Sequence, residues 1–573
     1  MTNEEIAKIF YELADMLEIK GEDRYRVLAY RRAADRIAHH VRDIADVARE
    51  GKLQEIPGIG ARIAGRIEEI LATGRLELHE QLKEEIPEGV LSFLAIPDVG
   101  PRTAWLLFDR LGLTSIAEVE EAARQGRIRQ LPGMGPRSEA NILRGIQMLH
   151  RLSKRILLGT ALPVAGELVA GLRECPQARK VTAAGSLRRR KPTVGDIDIL
   201  AASDEPVAVI EAFVSLPRVA EVQAQGDTKA TVILDNGLQV DLRVLPQGNY
   251  GSLLQYFTGS KEHNIQLREL AQEMGLSLSE YGFARPDGTT LLCPEETDVY
   301  ETLGLAWIPP EMREASGEVE AAREGRLPQP IELGQVRGDL HIHTLYSDGV
   351  NSIEEMARAA MARGYEYIAV TDHTRGLGVA RGLTAERIRE QRLEIEAVNR
   401  KLAPFRVLAG AEVEIRADGS LDLPDEVLAK LDIVVAAVHS GLRQERETMT
   451  RRVIRAMRNP HVDVIGHPTG RLIGQREPVA LDFEAVVAEA ARTETMLEIN
   501  AQPSRLDLDG EHARRAIEAG VTLILGSDAH HAGGLGVMEL GVAMARRGWA
   551  EAKDVANTLS VEELLARLRG RAG

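Results

Sequence analysis

The chain contains 573 residues, too many for a single hydrophobic core, and this length predicts about three or four domains. Hydrophobic residues make up 44% of the sequence, but no apolar run approaches the length of a membrane span, about 20 residues. The first residues are charged where a signal peptide is apolar, so we expect a cytoplasmic protein without membrane contact. The formal net charge of -16 would argue against a nucleic-acid partner if the charge were evenly spread. Residues 101–200, however, hold 17 Lys and Arg against 9 Asp and Glu, and we expect DNA to bind there.

Residues 1–150 form a predicted all-α region, in which apolar residues recur three and four positions apart, as in IAKIFYELADMLEI and IAGRIEEILATG. Three similar Gly/Pro turns connect its helices: IPGIGARIAGRI from Ile56, IPDVGPRTAWLL from Ile96 and LPGMGPRSEANIL from Leu131. Each turn is followed by a helix whose first backbone N–H groups can bind phosphate. One such turn is usually an ordinary helix connection, but three of them, with arginine following, favour a nucleic-acid-binding role.

The three turns resemble helix-hairpin-helix motifs, which hold the nucleic-acid backbone without reading its base sequence. We expect one such domain over residues 1–85 and a second over 86–150. Asp98 replaces the first glycine of the second turn, which makes its phosphate site the weakest of the three. The expected DNA contacts are the turn glycines and the arginines that follow them: Gly58, Gly60, Arg62, Arg66, Gly100, Arg102, Gly133, Gly135 and Arg137.

Residues 151–318 predict an α+β unit, because the strand-like runs RKVTAAGS, DIDILAAS, ATVILD and LQVDLRVLP alternate with helical stretches. The segment that follows is charged and then broken by proline, and we expect a linker over residues 319–335. From residue 336 to residue 573, strand and helix alternate.

Three carboxylates in the α+β unit predict a metal site. Asp196 and Asp198 stand two residues apart in a predicted strand, so both should face the same side, and oxygen ligands favour Mg2+ or Mn2+. Asp241, in another predicted strand, would complete a two-metal site for in-line phosphoryl displacement. Upstream, Gly185 and Ser186 precede three arginines and are suited to hold a polyphosphate. An Asp-x-Asp pair alone is more often a solvated strand edge, so the surrounding pattern is what favours catalysis.

The pattern Gly-Ser, eight residues, Gly-Asp-x-Asp resembles the nucleotidyltransferase signature of DNA polymerase beta and its family X relatives, and the run from Tyr256 to Ser260 (YFTGS) strengthens the resemblance. The resemblance covers roughly residues 1–318, with a palm over 151–250 and a thumb-like nucleotide-selection domain over 251–318. It implies that Asp196 and Asp198 bind both metals, while Asp241 binds the catalytic metal and helps to activate the primer 3'-OH. It implies that the triphosphate of the nucleotide is contacted by Gly185, Ser186, Arg189 and Gly195. It also implies that the sugar and base are contacted by Tyr256, Phe257, Gly259 and Asn264.

The sequence departs from that family at two places. Arg62 and Arg66 stand where lyase-active members have lysines, and a guanidinium stays protonated, so we expect no efficient Schiff-base lyase and interpret both arginines as phosphate ligands. Gln239 stands where the vertebrate enzyme has arginine, which leaves the hydrogen bonding around Asp241 open.

The last third of the chain holds nine of the fourteen histidines, and six of the nine end predicted strands. The strand ends are DLHIHT, AVTDHT, AGAEVEI, AAVHSG, VIGHP, LEINA and GSDAH, which predict a (β/α)7 barrel with its functional side chains at the carboxyl ends of the strands. A lone histidine at a strand end is more often structural, but six with interleaved carboxylates favour two or three metal ions. Because Cys175 and Cys293 are the only cysteines, the ligands must be His, Asp and Glu.

This arrangement over residues 336–573 resembles the PHP (polymerase and histidinol phosphatase) domain. Every ligand position of that domain is occupied by a suitable residue here: His341, His343, Asp348, His373, Glu412, His439, His467, Asp528 and His530. The resemblance implies a phosphoesterase that uses Mn2+, Zn2+ or Fe2+ and attacks phosphorus with a metal-bound hydroxide.

Together these observations predict a family X DNA polymerase that fills short gaps in DNA repair, including base excision repair, and whose PHP domain trims 3' ends as a 3'-5' exonuclease. Apurinic-site endonuclease or 3'-phosphatase action by the PHP domain stays open. A nucleotidyltransferase fused to a small-molecule phosphatase and a non-catalytic DNA scaffold are the alternatives. The expected partners are gapped or primed DNA and dNTPs, bound by a monomer that is cytoplasmic and associated with the nucleoid when it acts on DNA.

Overall fold

The computed structural model describes residues 1–38, 40, 42–97, 99–152, 155–376 and 382–571. The chain divides into two compact units, of which the first contains residues 1–153 with 472–477 and the second contains residues 154–471 with 478–573. Among the described residues, no helix is long and apolar enough to cross a membrane.

The first unit is helical, as predicted. Its helices are α1 (Asn3–Ile19), α2 (Arg24–Ala38), α3 (Ile44–Arg49), α4 (Ala61–Thr73), α5 (Glu77–Glu85), α6 (Glu88–Leu91), α7 (Pro101–Leu111), α8 (Ile116–Arg124) and α9 (Pro136–Leu152). Apolar residues at helical spacing, such as Phe10 and Leu13 in α1 and Ile67 and Ile70 in α4, are buried in one shared core.

The three predicted hairpin turns have the same backbone hydrogen bond. In each turn an N–H donates to the carbonyl three residues earlier, at 3.0 Å: Ile59 to Ile56, Val99 to Ile96 and Met134 to Leu131. Gly58 and Gly133 have φ of +91° and +75°, a conformation that side chains rarely adopt, so these two turns require glycine. Asp98, the corresponding residue of the second turn, lies outside the described residues.

The second unit begins with a mixed sheet that carries the predicted carboxylates. Its elements are β1 (Ile156–Leu157), α10 (Leu158–Arg173), β2 (Lys180–Ala183), α11 (Gly185–Arg188), β3 (Thr193–Val194), β4 (Ile197–Ala202), α12 (Pro206–Val214), β5 (Val219–Gln225), β6 (Lys229–Leu234) and β7 (Gln239–Leu245). Five strands pair in the order β2-β4-β7-β6-β5, and β4 and β7 are parallel. The four predicted strands are confirmed as β2, β4, β6 and β7. The edge strand β5 is a further strand, and its residues are mostly exposed, which is why no apolar alternation marks it.

A smaller α+β part follows the sheet. It contains α13 (Tyr250–Thr258), α14 (Lys261–Glu273), β8 (Ser277–Ser279), β9 (Gly282–Ala284), β10 (Thr290–Leu291), α15 (Glu296–Thr302) and α16 (Glu318–Arg323). Residues 319–335, predicted as a linker, are not a free tether, because Ala321, Ala322 and Ile331 are buried. The N–H of Ile331 also donates to the carbonyl of Ala550 at 2.8 Å.

Residues 336–571 form the predicted parallel barrel. Its elements are β11 (Gly338–Ile342), α17 (Ile353–Met361), β12 (Tyr367–Val370), α18 (Ala385–Leu402), β13 (Arg406–Glu414), α19 (Asp425–Leu428), β14 (Ile433–Ala437), α20 (Arg446–Met457), β15 (Val464–Ile465), α21 (Phe483–Thr493), β16 (Met496–Asn500), α22 (Gly510–Glu518), β17 (Leu523–Gly526), α23 (Met538–Arg547) and α24 (Val561–Arg571). The seven strands pair in sequence order. The barrel closes just beyond β17, where Asp528 N–H donates to His341 O at 2.8 Å and His343 N–H donates to Ala529 O at 2.9 Å.

Candidate functional site

The three predicted carboxylates of the mixed sheet converge. Asp198 in β4 stands directly opposite Asp241 in the parallel strand β7. Asp196 lies in the bend before β4 rather than inside the strand, because β4 begins at Ile197. Burial and the neighbouring carboxylates of Asp196 and Asp241 raise the pKa of Asp198 to about 7. A group of carboxylates this close favours a divalent cation, whose charge removes their mutual repulsion.

The turn after β2 lies directly against this carboxylate group. Ala184 N–H donates to Asp198 O at 2.8 Å, which brings Gly185 beside the Asp198 side chain. Gly185 has φ of +60°, and a Cβ there would lie 2.1 Å from Asp198 Oδ2. Ser186 follows at once and is half-buried, while Gly195 is exposed in the bend before Asp196. Glycine is therefore required at 185 by both the backbone conformation and the approach to Asp198.

Hydrogen bonds hold Asp241 in place. Gln239 Nε2 donates to Asp241 Oδ2 at 2.8 Å, and the Thr231 hydroxyl donates to Oδ1. The hydrogen bonding that the sequence left open at Gln239 is thus a direct contact with the carboxylate. A cavity of about 440 Å³ beside Asp198 and Asp241 is lined by Phe257 and Arg243, among others.

Of the predicted nucleotide-selection residues, Tyr256, Phe257 and Gly259 lie at the end of α13, and Asn264 lies in the first turn of α14. Tyr256 and Phe257 are half-buried, and the Arg243 guanidinium stacks on the Phe257 ring 4.9 Å from its centroid. Asn264 Nδ2 donates to Tyr256 O at 2.7 Å, and a Cβ on Gly259 would lie 2.4 Å from Asn264 Oδ1. The Asn264 side chain therefore packs against the YFTGS segment and fixes the end of α13.

Glu296, which the sequence did not single out, joins the mixed sheet to the part that follows it. Arg188, just after the Gly-Ser turn, donates to both carboxylate oxygens of Glu296 at 2.6 and 2.9 Å. The buried Arg313 donates to Glu296 at 2.6 Å and the Trp307 indole donates at 2.9 Å. Burial by itself raises the pKa of Glu296, but the charges of Arg313 and Arg188 outweigh it and hold that pKa far below its ordinary value of 4.5.

The predicted DNA-binding residues lie at the hairpin turns of the first unit. Gly60 and Gly100 are the N-caps of α4 and α7, so the helix N-termini begin at the predicted turns. Arg62 and Arg102 are exposed. The Arg66 guanidinium lies 4.8 Å from the centroid of the Tyr30 ring, and burial lowers its pKa.

All nine predicted ligands of the barrel meet at the carboxyl ends of its strands. Three groups hold ligand atoms within 4.8 Å of one another: His343, Asp348, His373 and His530; His341, His343 and Asp528; and His373, Glu412 and His439. Glu412 is central, because its carboxylate oxygens lie 2.7 Å from His373 Nδ1, 3.1 Å from His439 Nε2 and 2.9 Å from His467 Nε2. His467 thus joins the same cluster through Glu412.

The donor set of this cluster fits divalent metal ions. Two of its ring nitrogens are buried without a hydrogen-bond partner among the described residues: His341 Nε2 and His343 Nε2. Such atoms are costly unless something binds them, and mixed imidazole and carboxylate donors suit Zn2+, Mn2+ or Fe2+. Burial raises the pKa of Glu412, but His373 and His439 outweigh it and hold that pKa well below its ordinary value. The carboxylate is therefore ionised and ready to bind a cation.

Further carboxylates, which the sequence did not single out, orient the ligands. Glu498 in β16 contacts His341 Nδ1 at 2.7 Å and accepts from the backbone N–H of His467 at 2.6 Å. Glu414 contacts His439 Nδ1 at 2.9 Å. The contacts with His341 and His439 turn the opposite ring nitrogen towards the cluster, as carboxylates behind metal-bound histidines commonly do. The signal in the sequence was a carboxylate inside an otherwise apolar strand, as in LEIN.

Comparisons with known proteins identify several of the domains. Four family models match: a helix-hairpin-helix domain over residues 1–76, a SAM-like helix-hairpin-helix tandem over 90–148, the DNA polymerase beta thumb over 253–314 and the PHP domain over 339–502. A probable phosphatase of Thermoanaerobacter sp. (strain X514) is 32% identical over 203 residues, which cover 34% of this chain and 78% of that protein. A probable phosphatase of Acetivibrio thermocellus is 31% identical over 201 residues, 34% of this chain and 78% of its own length.

One relative matches along the whole chain. The "DNA polymerase/3'-5' exonuclease PolX" of Bacillus subtilis (strain 168) is 39% identical over 572 residues, which cover 99% of this chain and 100% of that protein. Together with the polymerase-type thumb, the helix-hairpin-helix domains and the PHP barrel, this match means that the chain belongs to the PolX family of DNA polymerase/3'-5' exonucleases.

Proposed function

We propose that this chain is a DNA-directed DNA polymerase that fills short gaps and also removes nucleotides from DNA 3' ends. The observation that carries the proposal is that one chain holds both a group of three carboxylates on the mixed sheet and, in the barrel, eight clustered His, Asp and Glu residues that His467 joins through Glu412. The relative from Bacillus subtilis has both activities in its name.

At the first site, Mg2+ or Mn2+ ions held by Asp196, Asp198 and Asp241 would stabilise the charge that develops on the transferred phosphoryl group. Asp241, which accepts a hydrogen bond from Gln239, would order the primer 3'-OH. The remaining contacts follow the family: Gly185, Ser186, Arg189 and Gly195 hold the triphosphate, and Tyr256, Phe257, Gly259 and Asn264 face the sugar and base. The helix-hairpin-helix turns of the first unit hold gapped or primed DNA by its backbone.

At the second site, two or three Mn2+, Zn2+ or Fe2+ ions would supply an activated hydroxide for attack on phosphorus. The barrel residues bind and orient: Glu498 fixes His341, Glu414 fixes His439, and Glu412 joins the three ligand groups. The similarity of the barrel to probable phosphatases favours a second reaction at the same site, removal of a 3'-phosphate. Apurinic-site endonuclease action has the same chemical requirements. We propose that the enzyme acts as a monomer in the cytoplasm, on the DNA of the nucleoid.

The test is primer extension and primer shortening on labelled DNA with a one-nucleotide gap, in Mn2+, with and without dNTPs. We expect Asp196→Ala to abolish extension only and His341→Ala to abolish shortening only. Asp204→Ala and His461→Ala are the matched controls, because Asp204 is an exposed partner of Arg179 and His461 precedes β15, at the opposite end of the strand from His467. Loss of both activities in either variant, or neither activity in the wild type, would contradict the proposal.

A further inference from the structure

The helix α23 of the barrel contacts the segment of the polymerase site that precedes β3. This segment, Arg189 to Lys191, follows directly on α11, the short helix that begins with Gly185 and Ser186. Arg547, the last residue of α23, donates from its guanidinium to the carbonyl of Arg189 at 2.6 Å. Near the start of the same helix, Glu539 lies 3.7 Å from the Arg190 guanidinium. The helix therefore contacts this segment near both of its ends.

Glu314 joins the contacts into one charged cluster. Its carboxylate lies 3.1 Å from Arg189, 3.0 Å from Lys191 and 3.1 Å from Arg547. Three of its four members are shielded from solvent, since the side chains of Arg189, Arg547 and Glu314 are 12%, 11% and 19% exposed, while Lys191 is 35% exposed. Interactions among charges are weakly screened in such a place, so the loss of one member is felt by the others.

The cluster also reaches the nucleotide-selection segment. The Arg189 guanidinium donates to Thr258 O at 2.9 Å and to Gly259 O at 3.4 Å. Ser260 N–H donates to the carbonyl of Arg313, the residue before Glu314, at 3.2 Å. The Gly-Ser turn, the YFTGS segment and helix α23 are therefore held by one set of hydrogen bonds.

The charge of the cluster suits an anion. Three cationic side chains share the Glu314 carboxylate. Asp509 is a further carboxylate that interacts with Arg547, and it is itself paired with Arg471. The excess of positive charge lies next to the turn that faces Asp198. A triphosphate bound at that turn would balance it.

We propose that Arg547 of the PHP barrel is a positioning residue of the polymerase nucleotide site, which fixes Arg189 and Glu314 so that the triphosphate of an incoming dNTP is held. This inference rests on the proposed polymerase function. The barrel module thus has a second role, as a structural part of the site where nucleotides are added.

The experiment compares Arg547→Gln with Arg546→Gln in the full chain. Arg546 contacts Glu311 and the carbonyl of Ile331 in the same interface but does not contact the 189–191 segment, so it reports general loosening. For Arg547→Gln we expect the KM for dNTP in gap filling to rise by about tenfold, and the inhibition constant of inorganic tripolyphosphate to rise with it. The kcat, the Kd for gapped DNA and the rate of 3' shortening should each change by less than about twofold. Arg546→Gln should leave the KM within about twofold, and Arg547→Lys, which keeps the charge, should recover most of the loss.

An unchanged KM in folded Arg547→Gln, or an equal rise in Arg546→Gln, would overturn the inference. A parallel loss of 3' shortening would also overturn it, because it would mean that Arg547 only supports the barrel. If Arg547→Gln does not fold, Glu314→Gln replaces it, since the Glu314 carboxylate links Arg547 to Arg189 at 3.1 Å on each side, and an unchanged KM in that variant would also overturn the inference. Absence of extension by the wild type would instead contradict the proposed function itself.

Discussion

Gly185 is the single residue on which the geometry of the polymerase site depends most closely. A side chain at this position would collide with Asp198 Oδ2, and the left-handed backbone would be strained as well. The turn that we propose to hold the triphosphate and the carboxylate that we propose to hold metal are thus in direct contact.

We therefore expect Gly185→Ala to lower the rate of gap filling by about a hundredfold or more, because a displacement of about 1 Å in a catalytic group can have that effect. Shortening of 3' ends at the barrel should not change. Gly237→Ala is the control, since Gly237 also has a positive φ, of +80°, but has open space where the Cβ would lie. The measurement is single-turnover extension, and a Gly185→Ala rate equal to that of Gly237→Ala would contradict this account.

Single residues were predictable where spacing alone brings ligands together. The pairs His341 and His343, and Asp528 and His530, stand two residues apart at strand ends, so their meeting follows from strand geometry. Glu498 was missed because its function depends on two histidines from other strands, and no local pattern records such contacts.

At the scale of elements, α15 joins the mixed sheet to the part that follows through its first residue, Glu296. This carboxylate is 7% exposed and binds Arg188 from α11 and Arg313 from the segment beyond α15. Removing one member of a buried ion pair leaves the other charges uncompensated, which makes Glu296 important for the stability of this part of the chain.

We expect Glu296→Gln to lower the free energy of unfolding of this part by about 3 kcal/mol at pH 7. Because the folded state holds the pKa of Glu296 below 4.5, the stabilising contribution is present above that pH and is lost as the pH falls below it. The difference from the wild type should therefore shrink in acid. Thermal unfolding at pH 7, 5 and 4 measures it, with the exposed neighbour Glu295→Gln as a control that should change little. If the stability difference between the wild type and Glu296→Gln grows as the pH falls, the pKa of Glu296 is not lowered by folding, and the stabilising role given to this ionised carboxylate is refuted.

The elements that the sequence predicted are those with a clear period, such as α1, α4 and the apolar strands of the barrel. The strand β5 was not predicted, because most of its side chains are exposed and leave no apolar alternation in the sequence. The helix α16 was not predicted either, because it lies in a charged stretch that has the composition of a linker. The charge of Glu318, the first residue of α16, is buried and is paired with the His263 ring of α14, 2.7 Å away.

At the scale of the whole molecule, the proposed function places two chemically independent sites in one chain. In that proposal the mixed sheet adds nucleotides with three carboxylates, and the barrel removes them with its His, Asp and Glu cluster. A primer with a mismatched 3' nucleotide in a gap needs both reactions in order, because it must be shortened before it is extended correctly.

The most direct measurement is full repair of such a mismatched primer by the wild type, by Asp196→Ala, by His341→Ala and by an equimolar mixture of the two variants. The account predicts correct full-length product from the wild type and from the mixture, shortening alone from Asp196→Ala, and no correct product from His341→Ala. Correct product from either variant alone, or failure of the mixture when the wild type succeeds, would contradict the claim that the two sites work independently.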